Sequence, residues 1–409
     1  MINSVIENSE NNSRSSVVAL DGLRSEKMFD VVVVGAGPAG AVCAAILAAR
    51  SWRVLLVDRA RFPREKTCGG FINAHAAHMF RQLGLESALL PGIPLMRYDL
   101  NVQQYHLHSP IPTGFALSRS VLDSGLAAAA QNCGCIFLSG VSASLYPANS
   151  SAPFRQLVLR AGSDAVIVSA RIVLACDGIT GTLLDSEPRV SWKTAKNPWL
   201  GVSALLEPDI DSLEYGIMQM NCARGGYVGM SKLSDGRLHL AAALDPRACR
   251  AAGSAAVLIQ KILSDCRRLC PPNLQNAKFF GVGRYTRRRT YLGGHRVLAV
   301  GDAVGYIEPF TGEGIAWAVQ GAREATALLP DPAADWPQSL PELWAQRHHA
   351  AIGRCQWLCK TLRALVRRPD LTLAAAAMAS AFPAIPGTIA QRIGRPGPIL
   401  HLPLREAFS

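Results

Sequence analysis

Two glycine-bearing segments, one near each end of the chain, carry the residues with the clearest chemical meaning. In the first, Gly35-Ala36-Gly37-Pro38-Ala39-Gly40 follows the apolar run Val31 to Val34 and opens an Ala-rich stretch reaching about Arg50. Gly35 permits a tight turn, Gly37 lets backbone approach a pyrophosphate, and Gly40 allows a helix to pack on a strand. Phosphate oxygens then meet the unpaired N–H groups and positive dipole of a helix start. A second apolar run, Val54 to Val57, ends in Asp58-Arg59, with the acid 18 positions after Gly40 and placed for ribose hydroxyls. In the second segment, Arg296 to Val300 delivers Gly301-Asp302 into a loop, and Pro309-Phe310-Thr311-Gly312-Glu313-Gly314-Ile315 then begins a long helix. Asp302 suits the ribitol hydroxyls that FAD has and NAD lacks. N–H groups at Gly312, Gly314 and Ile315 suit negative charge on a reduced flavin ring. The cofactor predicted from these residues is FAD.

The elements that must position these groups alternate strand, turn, helix and strand from Phe29 to Val57. That is a βαβ unit of a parallel sheet covered on both faces. Residues 98–117 and 199–245 show shorter alternating segments, with Ser234-Asp235-Gly236-Arg237 as a hairpin signal. They predict a second, largely antiparallel sheet. Helices are expected over 121–132, 312–329, 342–367 and 371–381, with prolines at 383, 386, 396, 398 and 403 breaking the tail. The predicted organisation is a disordered leader over 1–27, a cofactor domain in three parts (28–95, 118–190 and 281–330), a substrate domain in two (96–117 and 191–280) and a helical region over 331–409. The leader is rich in Asn, Ser and Glu, and Met28, just before the first strand, is a candidate second translation start.

The chain has 409 residues, 49% hydrophobic and 18% charged, enough for a large core in more than one domain. Its 11 cysteines are scattered, and the pairs Cys133/Cys135, Cys266/Cys270 and Cys355/Cys359 lack the partners of a zinc site. Free thiols, no metal and a reducing cytoplasm are expected. Charge is uneven: of the net +12, residues 250–409 carry 20 Lys or Arg against 10 Asp or Glu. Such a basic end attracts anions, whether cofactor phosphates or an anionic membrane surface. No nucleic-acid motif accompanies it. The helix around Leu358, Leu362, Leu365 and Val366, with arginines interspersed, packs on the core, closes over a pocket or lies on a membrane.

Four motifs in order give a specific resemblance over Phe29 to about Leu329: the glycine turn with Asp58; Phe62-Pro63-Arg64-Glu65-Lys66-Thr67-Cys68-Gly69-Gly70; Ser118-Arg119-Ser120-Val121-Leu122-Asp123; and the Gly301-Asp302 to Gly314 stretch. The chain resembles the flavoprotein superfamily of aromatic hydroxylases, flavin-dependent halogenases and geranylgeranyl reductases, and is most like the last branch. The resemblance implies a Rossmann-like FAD-binding domain of the glutathione reductase type, with a smaller substrate domain and a C-terminal helical region. It implies that Cys68, Gly69 and Gly70 lie beside the flavin ring, that Arg119 contacts phosphate or ribose, and that Asp177 belongs to a second dinucleotide-proximal turn. Gly35, Gly37, Ala39, Gly40, Asp58, Arg59, Lys66, Gly301 and Asp302 complete the expected cofactor site. Cys68, Tyr227 and Glu313 are the expected catalytic side chains.

Two departures matter. The usual serine after Asp177-Gly178 is replaced by Ile179-Thr180-Gly181-Thr182, and the lipid-reducing pattern Tyr-x-Trp-x-Phe-Pro reads Tyr227-Val228-Gly229-Met230-Ser231-Lys232 here. The halogenase string Trp-x-Trp-x-Ile-Pro does not occur. With the tryptophan lost, the first expectation is a monooxygenase acting through a flavin C4a-hydroperoxide on an apolar aromatic or polyketide-like metabolite. The alternative is a reductase of C=C bonds in a lipid or polyketide, with halogenation and a non-catalytic escort role as minor readings. No second glycine fingerprint follows a strand, so NAD(P)H is expected to dock transiently, its phosphates met by Arg287-Arg288-Arg289 unless that run is solvated, or an external donor supplies electrons.

Overall fold

In the computed structural model the described residues are 20, 22, 23, 28–207, 213–283, 286–308, 310 and 312–382. The first sheet is built on the strand Phe29–Val34, which pairs in parallel with Val54–Asp58 on one side and Asp164–Ala175 on the other. Ile136–Ser139 and Val297–Ala299 extend it in parallel at the two edges. Val31 to Val33 have no exposed surface because helices cover both faces, which is why the run is continuous rather than alternating. The helix Pro38–Ala48 is buried at all eleven positions, packed against the helices Arg119–Asn132 and Gly314–Leu328. Small alanines let these three helices approach closely. The parallel sheet thus delivers Gly35, Asp58, Cys176 and Gly301 to the same end.

The second sheet runs in the order Phe280–Val282, Leu200–Leu206, Leu238–Leu244, Gly226–Lys232, Ile217–Ala223, Ile93–Val102, Tyr105–Ala116, Phe71–Ile72. It is antiparallel except where Ile217–Ala223 lies parallel to Ile93–Val102. The hairpin at Asp235-Gly236 forms as the residues predict: Gly236 has φ +83°, and the Leu233 N–H donates to the Arg237 carbonyl at 2.9 Å. Alternation divides the sheet's side chains. Val228, Met230, Leu240 and Ala242 pack under the helix Ala255–Asp265, whereas Met218, Met220, Tyr227 and Ala243 face the opposite way. That second face is the wall of the cavity described below.

Three sequence expectations change. Leu20 and Leu23, within the leader expected to be disordered, are buried in the main core. They stand one helical turn apart, an apolar pair obscured by the polar tract before it; most of 1–27 lies outside the described residues. The single helix expected over 342–367 is instead Leu340–His348, a π turn at His349–Gly353, and Arg354–Val366. The His349 imidazole occupies the space where a side chain on Gly353 would stand. Arg289 is neither solvated nor open to a phosphate. It is buried, donates to the Ala303 and Gly181 carbonyls and lies over the Trp192 ring, because strand alternation turns it inward. The prolines of the tail fall outside the described residues. No helix among those described is long and apolar enough to cross a membrane.

Trp344 locks the helical region onto the parallel sheet. Its ring is fully buried, and its Nε1–H donates to the Ala299 carbonyl at 2.8 Å, two residues before Gly301. Trp344→Phe keeps most of the buried area but orphans that carbonyl, so unfolding free energy in a urea titration is expected to fall by about 1–3 kcal/mol. Trp357→Phe, at a ring 67% exposed, is expected to change it by less than about 0.5 kcal/mol.

Candidate active site

At the carboxyl end of the parallel sheet two cavities meet. One, of about 640 Å³, lies over Gly35, Asp58, Arg59 and Asp177. The other, of about 1130 Å³ including its open mouth, runs from Gly37 and Arg119 past Asp302 to the antiparallel sheet. They share Gly37, Lys66 and Cys176 as walls. A long ligand lying through both would therefore pass over the Gly37 turn.

That turn is shaped by sterics. A side chain at Gly35 would collide with the Cys176 carbonyl, and one at Gly40 would lie 1.8 Å from the Gly35 oxygen. A Cβ at Gly37 would stand 3.4 Å from an Arg119 nitrogen, so glycine there keeps the passage between backbone and guanidinium open. The Pro38–Ala48 helix starts at this point without a side-chain cap or an acid in its first turn. Its positive end is left for an anion. Gly301, at φ +65°, brings the Asp302 loop against the same helix, since a Cβ there would lie 2.6 Å from that of Ala39.

Around the passage the charged groups are paired. Asp58 accepts from the Ala36 N–H at 2.8 Å and from Arg64 at 3.3 Å. Arg64 also meets Asp123 at 3.0 Å, and Asp123 accepts two bonds from Arg119 at 2.9 and 2.7 Å. Burial opposes the Arg119 charge, but Asp123, Cys68 and Asp302 outweigh it and raise its pKa. Burial lowers Lys66, with Arg119 and Arg64 adding to the effect and Asp302 opposing it. Burial also pushes the Asp302 carboxyl up, against the pull of Lys66 and Arg119. Arg64 and Asp123 were not assigned from the sequence. The signal for Asp123 was present in its four-residue spacing from Arg119 on one helix face, whereas Arg64 reaches the pair from a distant segment.

The second turn explains its own departure from the family pattern. Asp177 accepts from the Leu183 N–H at 2.9 Å, while its other oxygen is buried without a partner. Burial raises its pKa. A Cβ at Gly181 would stand 2.1 to 2.4 Å from the Asp177 carboxylate, so that glycine makes room for the acid. Arg59 reaches across to the Thr180 hydroxyl at 3.0 Å. An orphaned acceptor, a glycine-lined passage and a bare helix start together fit a dinucleotide. Asp58, Arg59 and Asp177 would hold the adenosine end, Gly37, Lys66 and Arg119 the phosphates, and Asp302, Gly312, Gly314 and Ile315 the flavin end.

Cys68, Gly69, Gly312, Gly314, Ile315 and Tyr227 all line the larger cavity, as expected from sequence. Glu313 does not. Its carboxyl is buried behind the turn near Asn73, where burial raises its pKa to about 7 and Asn73 acts the other way. Pro309 and Thr311 of the same motif lie outside the described residues. Sequence reading missed Phe71, Tyr98, Met218, Met220, Tyr306 and the Ala241 to Ala243 stretch, which complete the walls.

Comparison with known proteins places this geometry. A profile of the family described as FAD binding domain matches residues 28–334. A menaquinone reductase of Mycolicibacterium smegmatis is 26% identical over 348 residues, spanning 78% of this chain and 81% of its own. The p-nitrophenol 4-monooxygenase of Pseudomonas putida has a similar fold, with a TM-score of 0.72 at 14% identity over 87% of this chain and 94% of that one. A myxobacterial chondrochloren halogenase gives 0.69 at 18% identity, over 81% and 82%.

Two outcomes test the site. Asp302→Asn is expected to weaken FAD retention on gel filtration by about tenfold or more in Kd with an unchanged melting temperature of the FAD-free chain; full retention would remove Asp302 from the site. Because the folded pKa of Glu313 lies above its unfolded value near 4.5, its neutral form stabilises the FAD-free fold at acid pH. That contribution declines as pH rises toward 7, by roughly 3 kcal/mol in all. The stability difference between wild type and Glu313→Gln in urea should follow this course, and a difference flat with pH would contradict it.

Proposed function

The chain belongs to the FAD binding domain family, and from that premise we propose that this FAD-dependent oxidoreductase saturates a carbon–carbon double bond in an apolar, prenyl-bearing substrate. The observation that carries the reading is the cavity wall formed by Met218, Met220, Gly229, Ala241 and Ala243. It carries no charged side chain, the charged lining residues Lys66, Arg119 and Asp302 standing at the phosphate passage. Methionine thioethers reshape around an aliphatic chain at little cost.

The broken aromatic motif takes on a different weight in this setting. Gly229 stands where lipid-reducing relatives of the superfamily carry tryptophan, and a Cβ there would meet the methyl of Met218 at 3.0 Å and that of Met220 at 3.4 Å. The methionines fill the volume the tryptophan would take. The wall stays apolar and becomes more adaptable. The menaquinone reductase of Mycolicibacterium smegmatis, aligned over about four-fifths of both chains, is named for a prenyl-bearing substrate, which supports that substrate class here.

When bound, FAD supplies the electron pair for the reaction, after reduction by NAD(P)H or an external donor. The chain's part is to hold the double bond against the ring edge, exclude water and deliver a proton. Cys68, Tyr98 and Tyr227 line the cavity and carry transferable protons. Burial raises the Tyr98 pKa and keeps it a neutral phenol. Gly312, at φ +71°, sets the closing turn directly over Phe71, since a Cβ there would lie 2.4 Å from that ring.

A second reading, oxygenation of a planar aromatic, draws on the rings of Phe71, Tyr98, Tyr227 and Phe310, with Tyr227 and Phe310 edge to face at 5.0 Å. One incubation separates the two. With reduced enzyme and a menaquinone under argon, followed by extraction and reoxidation of the quinone ring in air, mass spectrometry is expected to find a product still heavier by two hydrogen atoms, carried in the prenyl chain. A product that forms only in air and carries one added oxygen atom establishes oxygenation instead.

A further inference from the structure

The last two helices divide their surfaces sharply. Inward, Val366 and Ala376 are buried in the same apolar cluster as Met218, Met220 and Tyr227. Arg363 donates to the Thr286 hydroxyl at 3.0 Å, and Arg367 pairs with Glu308 at 2.9 Å, donates to the Asn197 carbonyl at 2.8 Å and lies over the Trp199 ring. These arginines are committed to the body of the protein.

Outward, the pattern is apolar and basic. On Arg354–Val366, Trp357 is 67% exposed, and Lys360, Thr361 and Ala364 follow at three- and four-residue steps toward exposed Arg368. On Pro369–Ala381, Leu371 and Met378 are 48% and 63% exposed, and Phe382 beyond its end is 62% exposed. Exposed Ala374 lies between them on the same side. Of the five Lys or Arg in residues 354–382, Lys360 and Arg368 are exposed with one acid, Asp370, and the sequence beyond adds three arginines and one glutamate. Large exposed apolar groups beside a basic excess are unusual on a surface meant for water alone.

We propose that this outer face docks on an anionic membrane, with Trp357, Leu371, Met378 and Phe382 entering the headgroup boundary and Lys360 and Arg368 meeting lipid phosphates. Charge complementarity selects the occupant. A bilayer bearing negative headgroups offers apolar depth and anions in one plane, which suits a helix pair that lies on a membrane rather than crossing it. Tryptophan at such a boundary keeps its ring in the apolar layer and its N–H in the wet one. The same helices back the apolar cluster behind the cavity wall, so docking places the cavity next to the bilayer. The contact does not depend on which reaction the cavity performs.

The test uses the full-length, FAD-loaded chain at low salt with vesicles of phosphatidylcholine alone or enriched in phosphatidylglycerol. The protein is expected to sediment with the anionic vesicles and stay in solution with the neutral ones. Brominated acyl chains are expected to quench part of its tryptophan fluorescence, and Trp357→Phe to remove that part. Lys360→Glu with Arg368→Glu is expected to lower partitioning by about 100-fold or more, with FAD content and circular dichroism unchanged. Failure to sediment overturns the proposal, as does sedimentation indifferent to both variants. A dimer in solution that Trp357→Ser converts to monomer overturns it too, by assigning the face to a second copy of the chain.

Discussion

A strip of paired charges around one glycine governs what this molecule can hold. Asp58, Arg64, Asp123 and Arg119 form a continuous chain of ion pairs within 3.3 Å of one another, and Lys66 and Asp302 continue the alternation electrostatically. Each of these groups alone would cost several kcal/mol to bury. Paired, they are tolerable, and they hold the backbone in place: Asp58 pins the Ala36 N–H while Arg64 pins Asp58. The strip carries as many cations as acids. An added diphosphate is therefore met chiefly by the bare helix start at Gly37, which has no acid in its first turn to oppose it.

How much of this was legible in the sequence depended on whether the cause was local. Gly35, Gly37, Gly40 and Gly301 were readable because their need for a missing side chain comes from a turn and a close approach that the motif itself encodes. Asp302 was readable from its place between a strand and a glycine turn, and Cys68 from the resemblance that its motif carries; both line the larger cavity. Glu313 was misplaced for the opposite reason. A Gly-Glu-Gly string suggests a carboxylate at the ring, yet the side chain turns toward Asn73, a partner brought by a distant segment. Arg289 looked like one of three surface charges, and only pairing with Trp192–Thr194 shows that alternation buries it on Trp192.

The cavity walls were hidden for a related reason. Met218 and Met220 are ordinary alternating residues of a strand until its parallel pairing with Ile93–Val102 is known. That pairing reverses the antiparallel rule of the rest of the sheet, and no local signal announces it. It sets Met220 opposite Leu100 and Met218 opposite Tyr98, so the methionines and the tyrosine share one end of one face. The make-up of the cavity wall is a property of register, and register between segments more than a hundred residues apart is what a single sequence conceals best.

The helical region is mechanically part of the cofactor site. Glu308 has no exposed surface, and its partner Arg367 comes from the end of the Arg354–Val366 helix. Glu308 lies in the segment that leads through Phe310 to Gly312, the turn that faces the flavin end of the cavity. Separating the pair would leave a carboxylate buried and uncompensated, a state costing about 3–5 kcal/mol. The helix therefore cannot lift away while that turn keeps its place. Trp344 imposes the same coupling on the other side of the loop, through the Ala299 carbonyl just before Gly301. Both segments that lead to the expected flavin end are thus tied to the helical region, and because Val366 of the Arg354–Val366 helix is buried in the apolar cluster behind the cavity, lifting that helix would also disturb the turn at Gly312.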